Sequence, residues 1–206
     1  MDLNCVTLDV RATRPGGTWS VEAAADTAAD LDLRTDGNGF TLRTDDPVTV
    51  GLDEGRHVAV GLPAEEGTHL EASLNAGDTT FDLAGARIGR LEVDGNAVAM
   101  AFDLSDATVE AVRVNINAGA ASMQLASGSD IGSIDLSANA GAMDVCAGPG
   151  VGLQITMLDD VAVGHNLEDE GLIQDGDVWR SPDYLSASTR IDITLRGERG
   201  RVHPEP

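Results

Sequence analysis

The sequence has 206 residues, enough chain for one domain, or two small ones, around a sizeable core. Thirteen basic residues, all Arg, stand against 35 Asp and Glu, a formal charge of −22 that argues against sequence-independent binding to nucleic acid or to an anionic membrane surface, since both rest on Lys and Arg meeting phosphate. The apolar fraction of 42% is too high for a disordered acidic tail, and with aromatics at 3% the core must be built from small and branched aliphatic side chains.

Residues 1–67 read as β-structure that starts or caps the fold. Leu31-Asp32-Leu33 and Phe40-Thr41-Leu42 flank Asp36-Gly37-Asn38-Gly39, a turn signature between strands. Val48-Thr49-Val50 and His57-Val58-Ala59-Val60 continue the strand pattern, and Glu65-Glu66 read as a solvated corner.

Residues 68–158 carry an internal repeat. The segments beginning at Leu70, Leu91, Val112 and Ile134 start 21, 21 and 22 positions apart, and each alternates apolar with polar residues, the mark of a half-buried strand. Each is followed by an Asn-Ala dipeptide, at Asn75, Asn96, Asn117 and Asn139. A second apolar column follows at Phe81, Phe102, Met123 and Val145, with Leu83, Leu104, Leu125 and Ala147 two positions on. A third is Ile88, Val109, Ile131 and Val151. Three short strands per ~21 residues, all copies running the same way, predict an all-β, single-domain parallel β-helix (a β-solenoid) whose coils bury their faces against one another. The Asn column predicts a structural ladder, because stacked amides can donate and accept between coils about 4.8 Å apart and Asn tolerates the backbone of a sharp corner.

After Leu153-Gln154-Ile155 the period breaks. Residues 159–188 form an acidic interruption with Trp179, Pro182 and Tyr184, read as a loop that caps the open end of the stack and as the candidate partner loop, with Trp179 and Tyr184 as its aromatic side chains. Residues 189–206 resume one strand, Arg190-Ile191-Asp192-Ile193-Thr194-Leu195, and end in a polar tail. No linker divides the chain, so 1–206 reads as one domain.

Little in the sequence points to chemistry. Cys5 and Cys146 show no metal-ligand spacing and read as thiols rather than a disulfide; the register puts Cys146 on the outside of its coil. The histidines, His57, His69, His165 and His203, stand singly. Without Lys there is no Schiff-base or Walker chemistry, no serine-nucleophile motif is present, and Gly148-Pro149-Gly150 reads as a corner. The outward column Asp82, Asp103, Gln124 and Cys146 reads as a solvated face, with a Ca²⁺ site or a lyase-like acidic centre as the sharper alternative. No catalytic residue, cofactor or metal is therefore assigned. The excess of 24 Asp over 11 Glu reads as adaptation to high salt, with coding bias as the competing explanation.

The Asn-Ala-Gly repeats, the broken coil, the segment Gly176-Asp177-Val178-Trp179-Arg180-Ser181-Pro182-Asp183-Tyr184 and the final Arg-Ile-Asp-Ile strand with Gly200-Arg201-Val202 resemble the toast-rack family over about residues 67–203. This β-strand-repeat domain occurs in LiaF-type cell-envelope stress proteins and in candidate adhesins. The resemblance implies a non-enzymatic interaction or scaffold module, with a membrane or signalling protein as partner and envelope-stress sensing as its context. A surface adhesin or carbohydrate-binding solenoid is the alternative, and a β-helical polysaccharide-active enzyme a more distant one. LiaF-type members carry transmembrane helices that this sequence lacks. No apolar run reaches the ~20 residues of a membrane span and Met1-Asp2-Leu3-Asn4 does not open a signal peptide. The chain as given is expected in the cytoplasm, reaching a membrane only through a partner or a segment outside the sequence. Self-association through the solenoid ends is a further expectation.

Overall fold

The computed structural model describes all residues except 4–5, 15, 24–30, 37–38, 45–56, 66, 159–163, 198–199 and 206. Among the described residues the chain is all-β, with nineteen strands and no helix. The strands form because their residues alternate. In β7 (His69–Leu74), Leu70, Ala72 and Leu74 point inward while His69 and Glu71 face solvent.

The repeat becomes a set of parallel ladders. β7, β9 (Arg87–Gly95), β11 (Thr108–Leu125) and β13 (Ile134–Ala147) lie side by side, so that Leu70, Leu91, Val112 and Ile134 fall in one column. β8 (Gly77–Asp82), β10 (Val98–Asp103) and the second halves of β11 and β13 make another row, with Phe81, Phe102, Met123 and Val145 in line. A third row sets Ile88, Val109 and Ile131 of β12 (Asp130–Ile131) beside one another. All of these side chains are buried in one apolar cluster.

Strand lengths depart from the expected three short pieces per repeat. β11 runs unbroken through Asn117-Ala118-Gly119, because Ala118 and Gly119 keep pairing with Ala140 and Gly141 around the corner. The corner itself requires Gly119: its φ is +128° and a Cβ there would collide with the Val98 carbonyl oxygen, as one on Gly77 would with that of Val6. Where the repeat has no Gly after Asn96-Ala97, Ala97 itself takes the left-handed conformation at φ 58° and the chain breaks between β9 and β10.

Both ends of the array are built out of sequence order. β1 (Asp2–Leu3) sits between β5 (Gly39–Thr44) and β7, and β2 (Thr7–Thr13) between β6 (His57–Pro63) and β8. Antiparallel strands β3 (Ser20–Ala23), on β6, and β4 (Leu31–Asp36), on β5, finish that end. The β4–β5 pairing agrees with the turn signature at 36–39; Gly37 and Asn38, like Val48-Thr49-Val50 and Cys5, lie outside the described residues.

The other end mirrors it. β18 (Thr189–Gly197) lies between β13 and β14 (Val151–Met157), and Ile193 pairs with Ile134 on one side and Ile155 on the other. β19 (Gly200–Glu205) likewise separates β13 from β15 (Gly164–His165). The expected continuation of the third column from Ile131 to Val151 is therefore corrected: Val151 pairs with Thr189. The chain steps one strand-width too far at β14 and fills the gap last, with its own C-terminal strands.

Candidate interaction surfaces

The Asn column lies at the corner between the first and second rows of strands. Asn117 donates through Nδ2 to Asn96 Oδ1 at 3.0 Å and accepts from Asn139 Nδ2 at 3.3 Å. Below it the backbone continues the series, with Asn96 N donating to Leu74 O and Asn75 N to Leu3 O. These amides are exposed, so the ladder is a surface feature. Two positions upstream stands a second polar column of the same period, Ser73, Asp94, Asn115 and Ser137, in which Asn115 Nδ2 donates to Asp94 Oδ1 at 2.7 Å. The two columns wall a groove of about 430 Å³ whose floor is the backbone of Leu74, Gly95 and Ile116, the Leu74 and Ile116 side chains being turned into the core. Sequence reasoning found one wall and missed the other, which shares the 21-residue period but not a constant residue type.

The cap is a hairpin laid on β14. β17 (Val178–Arg180) pairs antiparallel with β14 and with β16 (Ile173–Asp175). Trp179 is 5% exposed and packs edge-to-face on His165, with ring centroids 4.9 Å apart. Its indole thus belongs to the same buried apolar cluster as Leu167 and Leu172. Tyr184 is half-buried in the turn that follows, and its hydroxyl donates to Asp192 Oδ1 at 2.7 Å. Burial, then that hydrogen bond, then the Asp192 charge push the phenol pKa above its ordinary value. The turn can lie flat on β14 because residue 152 is Gly: a Cβ there would stand 2.7 Å from Tyr184 Cα. What the cap presents outward is Ile173, 61% exposed, and Leu185, 84% exposed. The stretch 159–163 of the candidate loop lies outside the described residues.

The remaining candidates are dispersed. Asp82, Asp103, Gln124 and Cys146 do form one column, extended by Arg11 and Glu205, but Asp103 Oδ1 already accepts from Ser105 N at 2.9 Å. Cys146 is half-buried. His57 Nε2 meets Asp9 Oδ2 at 2.7 Å, His69 lies beside Gly89, and His165 packs on Trp179; the His203 side chain lies outside the described residues. Among the described residues no three His, Cys, Asp or Glu side chains gather as a metal site. Gly148-Pro149-Gly150 is a tight turn closed by Val151 N on Gly148 O.

Residues 18–126 match the family model described as the N-terminal domain of toast_rack, DUF2154, which is more than half of the chain. The chain belongs to the toast-rack family. The match begins and ends earlier than the likeness read over 67–203, because the model takes in β3 to β6 and stops just past the end of β11. The toast-rack chain superposes on the crystal structure of a candidate cell-adhesion protein from Clostridium sporogenes with a TM-score of 0.51 at 12% identity, covering 98% of this chain and 89% of that one. That likeness is one of fold. No curated protein matches the sequence. Among the described residues no helix is long and apolar enough to cross a membrane.

Proposed function

We propose that this chain is a non-enzymatic interaction module, a rigid β-solenoid scaffold of ~21-residue coils that presents its C-terminal cap to a protein partner at the cell envelope. The observation that carries this reading is the exposure of two apolar residues, Ile173 and Leu185, on a cap whose Trp179 is turned inward. Exposed apolar side chains on the hairpin and on the turn that follows it offer surface that a partner would bury. The surrounding charge of −22 would steer a basic partner toward it, with on-rates that fall as salt rises. Toast-rack membership supports a module of this kind, and a membrane or signalling protein in envelope-stress sensing is the partner class it suggests.

The test is affinity capture from host extract with the parent chain and with the double variant Ile173→Asp, Leu185→Asp. Loss of a specific membrane or signalling protein from the variant, with its melting point unchanged, is the expected result. Recovery of the same proteins by both chains, or turnover of a polysaccharide by the purified parent, would overturn it. Trp179→Ala serves as a control for the fold of the cap, since it empties a core position.

A further inference from the structure

The amide-walled groove carries little charge. Of the eight polar residues that line it, seven are Ser or Asn and one, Asp94, is ionic, in a chain with 35 acidic residues. Asp94 is itself engaged by Asn115. Asn117, with one neighbour on each side, uses one N–H and one oxygen lone pair within the ladder, which leaves it one donor and one acceptor site to turn outward. We propose that this groove binds a linear neutral polysaccharide lying along the stack, perpendicular to the strands. It is a site separate from the cap.

Three properties select that ligand. The paired donor and acceptor on an amide match two neighbouring hydroxyl groups of one sugar. Rungs repeat at the strand spacing, about 4.8 Å, which is close to the advance per sugar of an extended glycan, whereas an extended peptide repeats its side-chain pattern about every 6.8 Å and falls out of register within two rungs. A carboxylated or sulfated glycan would meet Asp94 and the field of −22, so the neutral polymers are favoured. Leu74 and Ile116 turn their side chains into the core, so the groove floor is strand backbone and no aromatic platform lines it. Binding per chain is therefore weak, and several rungs must be engaged at once.

The test uses neutral hexasaccharides of glucose, N-acetylglucosamine and xylose, with a hexagalacturonate as the anionic control, titrated into the isotopically labelled full chain. Side-chain amide resonances of Asn96, Asn115 and Asn117 should shift with at least one neutral hexamer and not with the anionic one. The double variant Asn115→Ala, Asn117→Ala should weaken that binding about tenfold, the loss expected when polar ligand groups go unpaired. Ser137→Glu, which leaves the ladder intact and adds a charge to the wall, should weaken it as well. No amide shift with any neutral hexamer at millimolar concentration, stronger shifts with the hexagalacturonate, or unchanged binding by Ser137→Glu would each overturn the proposal. Cap-dependent protein capture is read separately, so failure of the groove leaves the cap reading standing, and the reverse.

Discussion

Phe81 and Phe102 lie face to face in the core, with ring centroids 4.7 Å apart and planes 2° from parallel. The separation is set by the backbone ladder, since the two residues are strand partners. It falls within the range of centroid distances at which aromatic pairs attract.

Truncating this stack should be costly. Phe102 is 2% exposed between Phe81 and Met123, and Phe102→Ala removes a buried ring from both neighbours. A loss of about 3–5 kcal/mol is expected, and Phe102→Leu should lose less because much of the volume stays. Urea denaturation of the two variants against the parent measures both. Equal midpoints for Phe102→Ala and the parent would contradict the packing.

The ladder should matter less than a buried network. Asn117→Leu breaks its bonds with Asn96 and Asn139, but all three side chains are exposed and water can replace the lost partners. The expected cost is about 1–2 kcal/mol for two solvent-accessible hydrogen bonds. Asp103→Asn keeps the oxygen that accepts from Ser105 N and should leave stability nearly unchanged. Melting temperatures of the two variants distinguish the cases.

The repeat was legible because each column is a packing necessity. A polar residue at Val114 or Met123 would face the core, so the 21-residue period had to be written in apolar residues. The ends were not legible for a matching reason. β14 keeps the same alternation wherever it pairs, and nothing in Leu153-Gln154-Ile155 distinguishes Ile134 from Ile193 as its neighbour. Intercalation of β18 is a property of the chain path. Trp179 could be placed in the cap from its position in the interruption, but whether its ring faced in or out depended on His165 and Ile155, which are remote in the local pattern. The second wall of the groove is a different matter: Ser73, Asp94, Asn115 and Ser137 vary in type, so their shared position shows only when the repeats are aligned.

Backbone strain at one corner is open to relief. Ala97 holds a left-handed conformation at φ 58° at an exposed position, where an L-residue loses about 1–2 kcal/mol. Ala97→Gly should remove that cost while loosening the unfolded chain, for a net gain of up to about 1 kcal/mol. The reverse change, Gly119→Ala, meets both a positive φ and the Val98 carbonyl and should destabilise by several times more. Opposite shifts in melting temperature are expected; shifts of the same sign would contradict the corner geometry.

Salt should stabilise the fold. A charge of −22 on one small protein repels itself across a Debye length of about 30 Å at 0.01 M salt and about 3 Å at 1 M. Exposed pairs such as Arg113–Glu92 at 3.6 Å and Arg196–Asp135 at 3.9 Å are weakened by the same screening, but they are few against the acidic excess. The melting temperature should therefore rise along a KCl series. A flat or falling curve would detach the acidity from high-salt adaptation and leave coding bias.

Tyr184 offers a local probe, because it is the one tyrosine of the sequence. Burial raises its pKa first, and the hydrogen bond to Asp192 and that residue's negative charge add to the shift, while Arg190 and Arg180 oppose it. The folded phenol thus holds its proton above the ordinary value of about 10. The sign of the linkage follows: the folded state binds more protons than the unfolded one at high pH, so this contribution is complete below about pH 10 and is lost as pH climbs from there through the folded pKa. Phenolate absorbance of the native chain should rise later than that of the denatured chain. Asp192→Asn keeps an acceptor oxygen and removes the charge, so its titration should move back toward the denatured curve, though not onto it, because burial remains. A native titration that coincides with the denatured one, or an Asp192→Asn titration displaced to still higher pH, would contradict the contact that pins the turn to β18.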